Sequence, residues 1–300
     1  MRNKLFYYLC WLTAVTGSLQ AQAQNKVVAP MKDVNQVIDN TLDSLNKART
    51  ARPIAGSSRK GDNPVLFLVG NSTMRTGTLG NGNNGQWGWG YFAGEYFDSN
   101  RINFGALRVL NDDKVAPGQG FQTHPHKNME IISIPLKGHL QHGDSKKNSR
   151  IITVGEIQTM SAGTGIFHSE VNASPVEPVE FLQIWIMPRE RNTRPVYQDF
   201  SIAELERPNE LAVIVSPDGS TPASLLQDTW FSIGKVEAGR KLGYHMHQSH
   251  AGVYIFLIEG EIVVDGEVLK RRDGMGVYDT NSVELETLKD SHILLIEVPM

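Results

Sequence analysis

The sequence predicts an all-β protein of two tandem β-barrels, preceded by an export signal and a short extension holding one helix and one strand. Three observations carry that expectation. From about residue 101, short apolar runs alternate with turn signals: INFGALRVL, MEIISIPL, SRIITV, EIQTM and VEFLQIWIM. After NELAVIVSP the rhythm repeats with TWFSIGKV, GVYIFLIEG, EIVVDGEVL, GMGVYDT, VELETL and HILLIEVPM, so 103–188 and 211–300 each supply one small barrel. The 28 Gly and 14 Pro provide the turns between them.

The first residues read as an address. MRNK is positively charged, LFYYLCWLTAVTGSL is apolar, and AQAQ offers a small-residue cleavage site after Ala23. That apolar run is shorter than the ~18–20 residues a spanning helix needs. A periplasmic or secreted protein, free of the membrane after cleavage, is expected. Cys10 is the single cysteine and lies inside the apolar run. The mature chain then has no thiol, which excludes disulfides, thiolate metal ligands and cysteine nucleophiles. A net charge of −3 and no basic stripe argue against nucleic acid as a partner.

Residues 32–49 place Val34, Val37, Ile38, Leu42 and Leu45 at helical spacing. Residues 50–64 are linker-like, VLFLV at 65–69 is a short buried strand, and 77–90 form a Gly/Asn loop closing on Trp87 and Trp89.

The chemistry is expected in the first barrel. GQGFQTHPHKNMEII sets His124 and His126 two apart at the start of a strand, where i and i+2 share a face. Forty residues on, GIFHSEVN sets His168 and Glu170 two apart in the same way. Paired inside a barrel, such strands deliver three imidazoles and a carboxylate to one point, a donor set suited to a divalent transition metal. Set against this is the reading in which each histidine is a separately satisfied barrel residue. Two i,i+2 pairs beside Gly-rich turns favour the metal site. His139 and His142, on the intervening hairpin, are expected to face solvent or to support the ligands from behind.

With these motifs in view, about residues 95–300 resemble the pirin family of the cupin superfamily, a fold of two jelly-roll barrels. RINFGALRVLNDDKVAPGQGFQTHPHKNMEIISIPLKG, MSAGTGIFHSE, FLQIWIMP and LLIEVPM carry the resemblance, and Gly118 through Glu130 follow the cupin G-x5-H-x-H-x3-E pattern. The resemblance implies His124, His126, His168 and Glu170 as metal ligands, with Glu130 placed behind them. It implies Fe(II), with Mn, Ni, Co, Cu or Zn as alternatives. It also implies oxygen-dependent cleavage of a flavonol-like substrate of the quercetin 2,3-dioxygenase type, with Glu170 or Glu130 accepting a proton. A non-catalytic, metal-dependent binding protein is the alternative on the same fold. In the second barrel, Gly239-x5-His245-x-His247 imitates half of the motif, but Ala251 replaces its glutamate and no later histidine follows, so surface or structural histidines are expected.

Residues 64–98 resemble the opening block of SGNH hydrolases of the rhamnogalacturonan acetylesterase type, with Ser72 in the nucleophile's place and Asn71 replacing the family's Asp. The remaining blocks do not follow, and a serine without an oriented base is nearly inert, so a carbohydrate acetylesterase using Ser72 is the last of the three functional readings. The expected organisation is therefore a signal at 1–23, an extension at 24–98, a metal-binding barrel at 99–210 and a second barrel at 211–300. Intact-mass measurement of protein recovered from a Gram-negative periplasm tests the address: the mature chain is expected to begin at Gln24.

Overall fold

The computed structural model describes residues 103–300 and the backbone of two short strands before them, β1 (Val65–Val69) and β2 (Thr78–Leu79). The expected signal, the helix at 32–49, Ser72 and the two tryptophans of the Gly/Asn loop lie outside the described residues. The described residues hold strands and no helix.

The first barrel comprises β3 (Leu107–Val115), β4 (Gly120–His126), β5 (Glu130–Lys137), β6 (His139–Asp144), β7 (Ser149–Thr153), β8 (Glu156–Ser161), β9 (Ile166–Asn172), β10 (Val179–Ile186) and β11 (Val196–Ser201). The second comprises β12 (Ala212–Ser216), β13 (Ala223–Ser224), β14 (Trp230–Val236), β15 (Lys241–His245), β16 (Ala251–Glu259), β17 (Glu261–Val264), β18 (Glu267–Lys270), β19 (Gly274–Tyr278), β20 (Ser282–Thr287) and β21 (Ser291–Pro299). Each barrel is a large sheet backed by a four-stranded one. In the first, β11-β8-β5-β10-β3-β2 faces β4-β9-β6-β7; in the second, β1-β19-β16-β21-β14-β12-β13 faces β15-β20-β17-β18. The VLFLV strand is an edge strand of the second barrel, antiparallel to β19, whereas β2 runs parallel to β3 in the first.

Strands β10 and β16 bury both faces because each lines a barrel with one face and meets the other barrel with the opposite one. Along β10, Phe181 and Trp185 belong to interior clusters of the first barrel, while Leu182, Ile184 and Ile186 join the cluster between the large sheets. Along β16, Val253, Ile255 and Leu257 fill the second barrel, and Tyr254, Phe256 and Ile258 face the first. A buried ion pair, Arg272 Nη1 to Asp112 Oδ1 at 3.0 Å, crosses the same boundary.

Phe104 bolts the two barrels. It precedes β3 in the chain, yet its ring stands against the second barrel, 5.7 Å from Tyr254 and 6.1 Å from Tyr278 between ring centres. A Cβ at Gly276 would meet it at 2.4 Å and one at Gly252 at 2.7 Å, so both glycines leave the room it occupies. Phe104→Ala is expected to cost about 3–5 kcal/mol in urea unfolding, as emptied aromatic sites do. A loss below ~1 kcal/mol would show that the barrels do not depend on this contact.

Candidate metal centre

Strand β9 lies between β4 and β6. His168 stands directly opposite His124 across one ladder, and Glu170 opposite His142 across the other. Directly opposed residues project to the same side of a sheet, so all four face the interior of the first barrel. A β-bulge between Phe121 and His124 sets this register, because β4 spends one residue more than β9 there. Two glycines permit the approach. A Cβ on Gly120 would lie 2.3 Å from the Glu170 carbonyl oxygen, and Gly163, at φ +47°, turns the chain into β9 where a Cβ would lie 2.1 Å from the Thr193 carbonyl oxygen.

The three predicted imidazoles converge. Ring centres are 4.8 Å apart for His124 and His126, 4.5 Å for His124 and His168, and 4.8 Å for His126 and His168. Nε2 of His124 and Nε2 of His168 approach to 3.0 Å. Nδ1 of His124 donates to the Gln122 carbonyl at 2.7 Å, which leaves its Nε2 as the lone-pair nitrogen aimed at the cluster. Burial holds all three imidazoles below the usual histidine range, and neighbouring imidazoles depress His126 and His168 further. The rings are thus neutral at pH 7, the form that ligates a metal.

Glu170 sits deeper, 1 % exposed. Its Oε1 accepts from Ser133 Oγ at 2.6 Å and Gln158 Nε2 at 3.2 Å, and its Oε2 accepts from Gln183 Nε2. The order of inward residues along β10 shows how this polar layer is held: Trp185 belongs to an apolar cluster with Ile131, Met160 and Ile166, then comes Gln183, then Phe181 in a second cluster with Leu140 and Ile152. Water is excluded above and below, so the layer's polar groups must satisfy one another or a bound cation.

The ligand atoms fall into two overlapping groups, His124–His126–His168 and His142–His168–Glu170, each lying within 4.8 Å of one another. Desolvated neutral imidazoles and a buried carboxylate match the needs of a divalent transition metal. Two imidazole nitrogens, Nδ1 of His142 and Nδ1 of His168, are moreover buried without a hydrogen-bond partner. The donor set therefore fits the metal that the motifs imply.

The structure narrows the alternatives for His142 and Glu130 and agrees with the surface or structural histidines expected in the second barrel. His142 does not face solvent; it is fully buried and stacks on Tyr197 with ring centres 4.5 Å apart. Its partner in that expectation, His139, is exposed. Glu130 is not placed to accept a proton at this centre. It shares a strand face with Ile132 and Ile134, opposite to Ser133, and there it accepts from Ser161 Oγ at 2.6 Å and the Leu226 backbone N–H at 3.3 Å. Burial raises its pKa. In the second barrel His245 is exposed, while His247 stacks on Trp230 and donates from Nδ1 to the buried Glu297 carboxylate at 2.8 Å.

Sequence reasoning passed over Ser133, Gln158 and Gln183. For two of them a signal was present: Ser133 and Gln183 each stand between two apolar neighbours, in IISI and LQI, whereas Gln158 in EIQTMS does not stand out from its polar neighbours.

Comparison with known proteins places these features in a wider set. The family description Pirin matches residues 75–186, a stretch that includes part of the 64–98 block likened above to a hydrolase, and Quercetinase C-terminal cupin domain matches 213–298. Quercetin 2,3-dioxygenase of Escherichia coli is 34% identical over 204 residues, covering 68% of this chain and 87% of its own. A Pirin-like protein of Caulobacter vibrioides is 33% identical over 204 residues, covering 67% and 87%. The bacterial pirin YhhW of Escherichia coli, solved in complex with nickel(II), superposes with a TM-score of 0.71 at 31% identity, covering 78% of this chain and 99% of that one.

The lowered imidazole pKa values set a pH dependence. Unfolded histidines take up protons near 6.5, whereas the cluster and the half-buried His292, which desolvation lowers to about 4, resist doing so when folded. The unfolded chain then binds more protons, and stability falls with pH below about 6.5. Metal-free protein is expected to unfold at lower urea at pH 5 than at pH 7.5; equal midpoints would contradict the burial of these rings.

Proposed function

The chain belongs to the pirin family, and from that premise we propose that it is a metal-binding bicupin acting as an oxygen-dependent dioxygenase of the quercetin 2,3-dioxygenase type. The observation that carries this reading is the convergence of three desolvated, neutral imidazoles beside a buried carboxylate. His124, His126 and His168 with Glu170 hold the metal, Fe(II) by preference, with Mn, Ni, Co, Cu or Zn as alternatives. When bound, the metal supplies Lewis-acid polarisation of a flavonol-like hydroxyl and a site at which dioxygen is activated.

The chain's own residues do the rest. His124 is the least buried of the three imidazoles and marks the side from which a planar substrate enters. Trp185 stands edge-on to His126 with ring centres 5.0 Å apart and supplies an aromatic wall. Glu170 accepts the substrate hydroxyl proton, since Glu130 faces the other barrel. One observation favours a second reading, a metal-dependent binding protein without turnover: both oxygens of Glu170 already accept hydrogen bonds from Ser133, Gln158 and Gln183. Ser72 takes no part in either reading.

Anaerobic reconstitution followed by metal analysis is expected to give about one equivalent in the wild type, and His124→Ala or His168→Ala is expected to weaken binding at least ~10-fold. Unchanged metal content in both variants would sink the site. Oxygen consumption on adding quercetin, lost in the same variants, separates the dioxygenase from the binder.

A further inference from the structure

His142 lies in β6 directly opposite Glu170, and Asp144 lies opposite His168. Both side chains are fully buried. Nε2 of His142 meets Asp144 Oδ2 at 3.1 Å, and since a carboxylate oxygen accepts, Nε2 carries the proton. Asp144 is itself immobilised by the following turn. Its Oδ1 accepts from the backbone N–H groups of Lys146 at 2.8 Å and Asn148 at 3.1 Å, and its Oδ2 accepts from Asn148 Nδ2 at 2.8 Å. The Tyr197 ring, tilted 27° from that of His142, packs on its face. The tautomer and orientation of His142 are therefore set from two sides, and its Nδ1 is left as a lone-pair nitrogen, buried and without a hydrogen-bond partner.

A carboxylate that fixes a histidine so that the other nitrogen presents a lone pair is the support found behind metal-ligating imidazoles. One ligand atom each from His142, His168 and Glu170 lies within 4.8 Å of the other two, and all three residues are buried. Ligand atoms about 2.1 Å from one ion lie ~3–4 Å apart, so small side-chain rotations close this triad on a cation.

We propose that His142 is a metal ligand, forming with His168 and Glu170 an inner cation position that shares His168 and Glu170 with the outer position of His124 and His126. The inner position takes a borderline divalent ion, because two imidazoles and one carboxylate match Co(II), Ni(II), Zn(II) or Fe(II) better than the oxygen-seeking Mg(II) or Ca(II). The proposal rests on the reading that this centre holds a divalent metal. It adds that the ion has two overlapping seats, one toward the surface and one at the level of Glu170. Asp144 is the positioning residue of the inner seat.

Co(II), whose visible absorption reports coordination, tests this in the full chain. The double variant His124→Ala/His126→Ala keeps the inner triad and is expected to bind Co(II) with an altered spectrum. Adding His142→Phe, which retains a ring against Tyr197 but no lone pair, is expected to weaken that residual binding at least ~100-fold. Asp144→Asn, whose amide can donate to Nε2 and so move the proton to Nδ1, is expected to weaken it ~10-fold, in the range typical of an outer partner of a metal ligand. Circular dichroism checks that each variant folds, and Asp144→Ala replaces the triple variant if that one does not. If the wild type binds Co(II) and the double variant does not, the inner position is wrong while the metal centre stands. Residual binding indifferent to His142→Phe or to loss of Asp144 also overturns the proposal. A wild type that binds no Co(II) overturns both readings together.

Discussion

Strand β9 pairs with β4 through His168 opposite His124 and with β6 through Glu170 opposite His142. Because opposed residues share a face, four ligand-type side chains enter one barrel interior, and a slip of one residue in either ladder would turn them outward. The bulge before His124, the close backbone approach at Gly120 and the left-handed turn at Gly163 all serve that register. The hydrogen bonds to Glu170 follow from it too, since Ser133, Gln158 and Gln183 come from the facing sheet at the level β9 dictates.

The two barrels distribute their buried polar groups differently. In the second, one large apolar cluster runs from Val253 and Ile255 through Leu285 to Leu295, and the buried Glu297 carboxylate is satisfied by Tyr244 Oη and His247 Nδ1, each at 2.8 Å. In the first, the apolar filling is split into two smaller clusters with the polar layer between them. Buried imidazoles and amides lose their water, and only mutual hydrogen bonds or a cation restore that loss. The second barrel compensates by packing its large sheet against the first, through the cluster that includes Ile184, Phe231, Phe256 and Phe104. Glu130 belongs to that seam: its bond to the Leu226 N–H reaches into the second half of the chain.

The division between what was legible and what was not follows the range of the signals. Two barrels, the strand positions and the pairing of His124 with His126 and of His168 with Glu170 were readable because strand periodicity is local: i and i+2 share a face wherever the strand lies. The first three imidazoles do meet. Between the alternatives open for Glu130 and for His142 the sequence could not choose, and for the same reason. Glu130 lies in the motif that carries the ligands, yet which face of β5 looks into the barrel depends on where β5 pairs, and Glu130 falls on the other face. His142 sits on a hairpin that looks solvent-exposed in sequence, with His139 exposed three residues earlier, but pairing with β9 buries it against Tyr197.

By itself, the sequence determined an all-β chain of two barrels and the two i,i+2 pairs that carry its chemistry, since turn residues and alternation act over a few positions. Only the tertiary structure decided which polar residues meet. Ser133, Gln158 and Gln183 reach Glu170, and His142 comes to face it across β9, because long-range registers bring their strands together. Those registers are set by how the sheets close and pack, a property of the whole barrel that no short stretch encodes.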